Sequence, residues 1–190
     1  HLGEPGHNPG FLYQQNTLRD ALVAALTLDV FQRHTERVRM TSIAQMVNVL
    51  QAMVLADGPR MVLTPTYHVY DMYKPFKGAT PLKNSLSTTR WHSGDDELPA
   101  VDASVARTAD GTTVLALVNL DPARPAHVRT NLKGEFRGRI LTAAKMDAHN
   151  TFDQPHAIEP APFSARAGTD GWTLDLPPKT VLVVSAPVRH

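Results

Sequence analysis

Leu18, Leu22, Ala25 and Leu26 recur at the three-to-four-residue spacing of one helix face, which predicts a helix over Thr17–His34. The stretch opens on Thr17-Leu-Arg-Asp20, where a hydroxyl and a carboxylate can satisfy orphan N–H groups reciprocally. It closes on Arg33 and His34, cations that suit the negative end of the helix dipole. Val38 and Met40 then stand two apart, and Ile43–Val47 is nearly continuous apolar sequence, the pattern of a strand buried in a parallel sheet. Asp57-Gly-Pro59 reads as a turn. Thr64 offers an N-cap and Pro65 a first helical position, so a second helix is expected over Thr64–Lys74, stopped by Pro75.

Beyond Lys83 the helical period disappears. Val101, Ala103 and Val105 alternate, Ala109-Asp-Gly-Thr112 makes a turn, and Thr113–Val118 returns, which is a hairpin. Ala126–Leu132, Arg137–Thr142, Gly171–Leu176 and Thr180–Ser185 read as further short strands between Gly and Pro turns, the grammar of an antiparallel β-sandwich. Met146–Ala167, with Pro155, Pro160 and Pro162, reads as a long loop, and the boundary between the two halves falls near Lys77–Pro81.

Composition narrows the chemistry. The 190 residues are 42% hydrophobic, enough for a core, and contain no cysteine, which removes disulfides, thiolate nucleophiles and thiolate metal sites. Nineteen basic and eighteen acidic residues leave a net charge of +1, evenly spread, so nucleic acid is not an expected partner. The most apolar stretch, Ala21–Phe31, is broken by Thr27 and Asp29 and is far short of a bilayer span, so no membrane partner is expected either. The first residue is His1, as in a processed or truncated chain.

There are five glutamates, Glu4, Glu36, Glu97, Glu135 and Glu159, and none follows an apolar strand run, where barrel chemistry is mounted. A retaining glycosidase holds two carboxyl groups about 5–5.5 Å apart, and no spacing here nominates such a pair. His149 and His156 flank Asp153 without the helical spacing of a zinc site, and no metal or other cofactor is expected. The Ser nucleophile elbow and the dinucleotide glycine motif are absent. Gln45 stands out because it interrupts the most apolar part of the proposed strand. Its amide either finds structural partners or faces a ligand, since leaving it buried and unpaired costs about 1–3 kcal/mol. Asn48 reads as a turn residue, and Trp91 and Trp172 as sandwich packing in preference to sugar platforms.

Read together, Gly-His-Asn-Pro-Gly-Phe-Leu-Tyr-Gln-Gln-Asn-Thr-Leu-Arg-Asp (6–20) and Arg-Val-Arg-Met-Thr-Ser-Ile-Ala-Gln-Met-Val-Asn (37–48) closely resemble family 51 α-L-arabinofuranosidases. Leu-Val-Asn-Leu-Asp-Pro (117–122), Met-Asp-Ala-His-Asn-Thr-Phe (146–152) and Leu-Pro-Pro-Lys-Thr-Val (176–181) agree. The resemblance implies the C-terminal end of a (β/α)8 barrel over residues 1–80 (helix 7, strand 8 at Val38–Val47, helix 8), followed by a β-sandwich over 81–190. It also implies retaining hydrolysis of terminal arabinofuranosyl groups on oligo- or polysaccharides. In the family a Gln at the position of Gln45 binds the sugar. Both catalytic Glu precede the loop represented here by Gly3–Gly10, so this chain is expected to hold no catalytic residue, and Glu4 is not a substitute. The missing N-terminal barrel portion is then a partner, a homo-oligomer is the family habit, and the cytoplasm is the expected compartment. Two alternatives stand: a non-catalytic carbohydrate-binding or subunit-assembly sandwich, and a relative acting on β-glucan or xylan.

Overall fold

Thr17 starts the first helix as its spacing predicts. Its backbone N–H donates to the Asp20 carboxylate at 2.7 Å and its hydroxyl donates to the same oxygen at 2.9 Å. The computed structural model describes residues 16–43, 46–48, 51–166 and 171–187. Helix α1 runs Leu18–Arg33 and α2 Pro65–Met72, followed by a 3₁₀ turn at Lys74–Phe76. The Thr64 hydroxyl caps α2 by accepting from the Tyr67 N–H at 3.3 Å, with Pro65 at the first helical position.

Twelve strands are formed among the described residues: β1 Val54–Asp57, β2 Arg60–Leu63, β3 Thr80–Pro81, β4 Arg90–Ser93, β5 Asp96–Pro99, β6 Val101–Arg107, β7 Thr113–Asn119, β8 Ala126–Thr130, β9 Glu135–Leu141, β10 Ala161–Arg166, β11 Trp172–Leu176 and β12 Thr180–Ala186. The main sheet has the order β10-β9-β12-β7-β6-β3, and β8 and β11 form a second layer. Hairpins β1–β2 and β4–β5 stand apart as two-stranded ladders, and every ladder between these strands is antiparallel.

Alternation along β7 and β12 assigns each face of the main sheet its own core. Val114, Ala116, Val118, Val181 and Val183 pack with Leu18, Leu22 and Ala25 of α1 and Val69 and Met72 of α2. Leu115, Leu117, Leu182 and Val184 pack instead with Val128, Leu174, Leu176 and Trp172 of the second layer. Trp172 is 2% exposed and stacks on Phe136 at 5.1 Å, so it is a packing residue.

Two expectations are corrected. No strand forms over Val38–Ile43, and Val47 makes only an isolated parallel bridge to Val54. A strand exists through hydrogen bonds to neighbours on its edges, and among the described residues no strand pairs with 38–43; Arg39–Ser42 are exposed. The loop expected over Met146–Ala167 contains β10, which pairs with β9 from Ala161↔Ile140 to Arg166↔Glu135. Pro162 is tolerated because β10 is the edge of the main sheet, where a missing N–H interrupts no second ladder.

A carboxyl group lies inside the helix–sheet core. Asp29 is fully buried; its Oδ1 accepts from the Tyr73 hydroxyl at 3.1 Å, while Oδ2 has no hydrogen-bond partner. The Ser104 hydroxyl of β6 donates to the Asp29 backbone oxygen at 3.5 Å. Burial, reinforced by the charge of Asp102, raises the Asp29 pKa from 3.8 to about 7; the hydroxyls of Ser104 and Tyr73 and the charge of Arg33 pull the other way. The folded acid therefore holds its proton more tightly than the unfolded one. This contribution is full below about pH 4 and is lost as pH rises to 7, a change on the order of 4 kcal/mol. Asp29→Asn keeps an acceptor for Tyr73 and removes the charge. The variant should melt higher than the parent at pH 8, and its melting temperature should fall less between pH 5 and 8, as scanning calorimetry checks.

Candidate functional site

The sequence nominates Gln45, and Gln45 lies outside the described residues. What the structure does describe is the anchorage just after it in the chain. Met46 O accepts from the N–H groups of Met53 and Val54, both at 3.0 Å, and Asn48 N–H donates to Val54 O at 3.1 Å. The Asn48 side chain then clamps the hairpin: its amide nitrogen donates to Ala56 O at 2.8 Å and its oxygen accepts from Ala56 N–H at 2.7 Å. Asn48 and Gln51 both have φ of +57°, so the chain turns back sharply between Met46 and β1. Asn tolerates that conformation better than most residues. The turn role read for Asn48 holds, and the side chain adds a two-sided backbone mimic that sequence alone does not reveal.

Several large apolar side chains are exposed on the neighbouring segments. Met40 is 86% exposed, Met46 66%, Met61 63% and Val47 44%. A groove of about 620 Å³ lies between the end of α1, residues 38–41 and the 3₁₀ turn, lined by Leu28, Phe31, Val38, Met40, Phe76 and Ala79 among others. Its acid is Glu36, an exposed carboxylate held below the usual range chiefly by a backbone hydrogen bond. One carboxylate on an open groove can neither attack a glycosidic carbon nor protonate a leaving group in concert with a partner.

The other described glutamates have partners: Glu97 pairs with Arg90 at 2.8 Å and Glu135 with Arg137 at 2.6 Å, and Glu159 shares a hydrogen bond with the His156 ring. Asp29 and Asp102 sense each other's charge, but Asp29 is sealed in the core and Asp102 is paired with Arg33 at 3.0 Å, so no substrate reaches between them. Among the described residues no three His, Asp or Glu side chains come together to hold a metal ion, and no helix is long and apolar enough to cross a membrane. His149 bonds the Asp147 carbonyl at 2.9 Å, away from His156. Glu4 lies outside the described residues. The described part of the chain therefore presents a scaffold and an apolar surface.

The family model described as the α-L-arabinofuranosidase C-terminal domain matches residues 2–180. The chain belongs to that family. An intracellular exo-α-L-arabinofuranosidase of Bacteroides ovatus is 41% identical over 188 residues, covering 95% of this chain and 36% of the relative. The crystal structure of the family 51 arabinofuranosidase of Xanthomonas axonopodis pv. citri superposes with a TM-score of 0.86 at 48% identity, over 96% of this chain and 38% of that one. The α-L-arabinofuranosidase of Thermotoga maritima, solved with arabinose, shares the fold at a TM-score of 0.82 and 18% identity, over 96% of this chain and 41% of that one. The chain thus spans a little over a third of the length of these relatives.

Asn48→Ala removes both clamp bonds and puts a β-carbon residue other than Asn at positive φ. It should lower the stability of the β1–β2 hairpin by about 1–2 kcal/mol. Hydrogen exchange at the Ala56 amide should speed up at least severalfold while amides of β7 and β12 keep their rates.

Proposed function

We propose that this chain is the C-terminal portion of a retaining α-L-arabinofuranosidase that releases terminal non-reducing α-L-arabinofuranosyl residues from oligo- or polysaccharides. The family match over residues 2–180 carries the reading, and the arabinofuranosidases 41% and 48% identical to it support it. In this reading residues 1–80 contribute the last part of the catalytic barrel (helix 7, strand 8 and helix 8), and residues 81–190 the sandwich that braces it. A closed (β/α)8 barrel takes about 250 residues, so the remaining strands belong to polypeptide ahead of His1. Segment Val38–Val47 gains its ladder there, and the exposed Met40, Met46, Val47 and Met61 gain apolar cover.

The bond-breaking carboxylates belong to that preceding part as well. One attacks the anomeric carbon and the other protonates the leaving oxygen, then draws a proton from water as the glycosyl-enzyme is hydrolysed. This chain's contribution is the Gln45 amide, a donor and acceptor for arabinose hydroxyls at the end of the eighth strand. The enzyme works in the cytoplasm, in keeping with the Bacteroides relative named intracellular, and assembles as a homo-oligomer.

Purified alone, residues 1–190 should release no 4-nitrophenol from 4-nitrophenyl α-L-arabinofuranoside under conditions where the complete enzyme does. Turnover by the isolated chain would place the catalytic acids within it and defeat the reading. In the complete enzyme Gln45→Ala should reduce kcat/KM by about 1–3 kcal/mol of transition-state binding with an unchanged melting temperature. Unaltered kinetics would make Gln45 a structural amide.

A further inference from the structure

A loop of the sandwich reaches round to one particular end of the helices. Leu18 and Arg19, at the start of α1, donate their backbone N–H groups to Ala148 O at 2.9 Å and Met146 O at 3.0 Å. Asn150 donates to Leu63 O, just ahead of α2, at 2.9 Å. In a (β/α)8 barrel each helix begins on the face where the strand before it ends, and that face carries the chemistry. With α1 and α2 as helices 7 and 8, the sandwich loop 146–160 sits on the catalytic face. The β1–β2 hairpin is then the connection between strand 8 and helix 8 on that same face.

Loop and hairpin meet there in a stacked pair. The Arg60 guanidinium, at the tip of the hairpin, lies over the Phe152 ring 4.8 Å from its centroid, and it also pairs with the Asp57 carboxylate across the turn. The side chains of Arg60 and Asp57 are 53% and 60% exposed. Both supports are firm. Asp57↔Arg60 closes the β1–β2 ladder, while Phe152 lies between Thr151 and Gln154, whose backbones exchange hydrogen bonds at 3.2 Å. Arg60 and Met61 are consecutive in β2 and so project from opposite faces, which keeps the pair clear of the apolar patch that includes Met61.

We propose that Arg60, Asp57 and Phe152 form a subsite for the sugar chain from which arabinose is released, gripping two neighbouring hydroxyls of a neutral sugar. The proposal rests on the reading of this chain as part of an α-L-arabinofuranosidase. Guanidinium N–H groups beside an exposed carboxylate set donors and an acceptor side by side, the complement of adjacent hydroxyls that each donate and accept. Phe152 holds the guanidinium plane, so the donor edge is preorganised and less freedom is lost when a sugar binds. Arg60 and Asp57 together carry no net charge, which suits a neutral sugar better than a uronic acid. The position suits the chain rather than the arabinose. Val54 N–H bonds to Met46 O, next to Gln45 in sequence, and Asp57 stands three residues, about 10 Å, further along β1.

The test compares substrates in the complete enzyme. 4-Nitrophenyl α-L-arabinofuranoside has no sugar beyond the cleaved bond, whereas arabinofuranosyl-xylotriose and (1→5)-α-L-arabinotriose do. In Arg60→Ala the ratio of kcat/KM on at least one oligosaccharide to kcat/KM on the nitrophenyl substrate should fall about fivefold or more, through KM, with the melting temperature kept. Phe152→Leu, which keeps an apolar side chain without the ring, should move the ratio the same way. Saturation-transfer NMR with xylotriose, which has no arabinofuranosyl bond to cleave, gives a readout without turnover: transfer to its protons is expected in the parent enzyme and its loss in Arg60→Ala. A ratio that Arg60→Ala leaves unchanged on both oligosaccharides, or transfer that it leaves unaltered, overturns the inference. A complete enzyme that cleaves none of the three substrates defeats the functional reading, and the xylotriose measurement then decides this inference by itself.

Discussion

β7 and β12 bury both of their faces, and the remainder of the molecule is organised by that constraint. Six of seven residues of β7 and six of seven of β12 are buried. A strand of this kind cannot sit on a surface: one face needs helices and the other a second sheet. α1 and α2 supply the first cover and β8 with β11 the second. The helical and β halves therefore share one apolar layer, although they read as separate regions along the sequence. Removing either cover would expose a row of Val and Leu side chains, each worth about 1.5–3 kcal/mol when buried.

The polar seam between the halves fixes how they dock. Apolar packing is non-directional and tolerates sliding; hydrogen bonds with one geometry do not. The first N–H groups of α1 have no partners within the helix, and two of them donate out of it: Leu18 N–H to Ala148 O at 2.9 Å and Arg19 N–H to Met146 O at 3.0 Å. Asn150 of the same loop donates to Leu63 O and Ile158 O, both at 2.9 Å, and accepts from Ile158 N–H at 2.7 Å. Arg139 of β9 reaches Asp71 of α2 at 2.6 Å, and Arg33 of α1 reaches Asp102 of β6. The loop from 146 to 160 is thus a fastening between the helices and the sheet.

How legible this was depends on whether a signal is local. The Thr17 and Thr64 caps, the alternation of Val101–Val105 and the runs of β7 and β12 are local, and each element lies where its pattern puts it. β10 was hidden because its prolines read as loop; what rescues it is a neighbour, β9, twenty residues earlier. β1 and β2 were hidden because Asp57-Gly-Pro59 announces a turn more strongly than four-residue strands announce themselves. The reverse holds over Val38–Ile43, part of a good strand sequence with no strand beside it among the described residues. For the site, Gln45 was nominated by its conflict with its surroundings and by family resemblance, whereas the Asn48 clamp depends on a hairpin that the sequence reading did not contain.

The exposed methionines and the incomplete second layer are one phenomenon seen at two places. Near Met40, Met46 and Met61 the chain shows exposed apolar side chains suited to a core, and beside β8 it shows a backbone edge with no ladder among the described residues. A free-standing domain would avoid both, since each invites aggregation. A segment that acts as part of a longer chain need not avoid either, because the tethered remainder covers them at high effective concentration. The β half is nearly self-sufficient, with β7 and β12 sealed on both faces, and what it leaves uncovered among the described residues is confined to these two places.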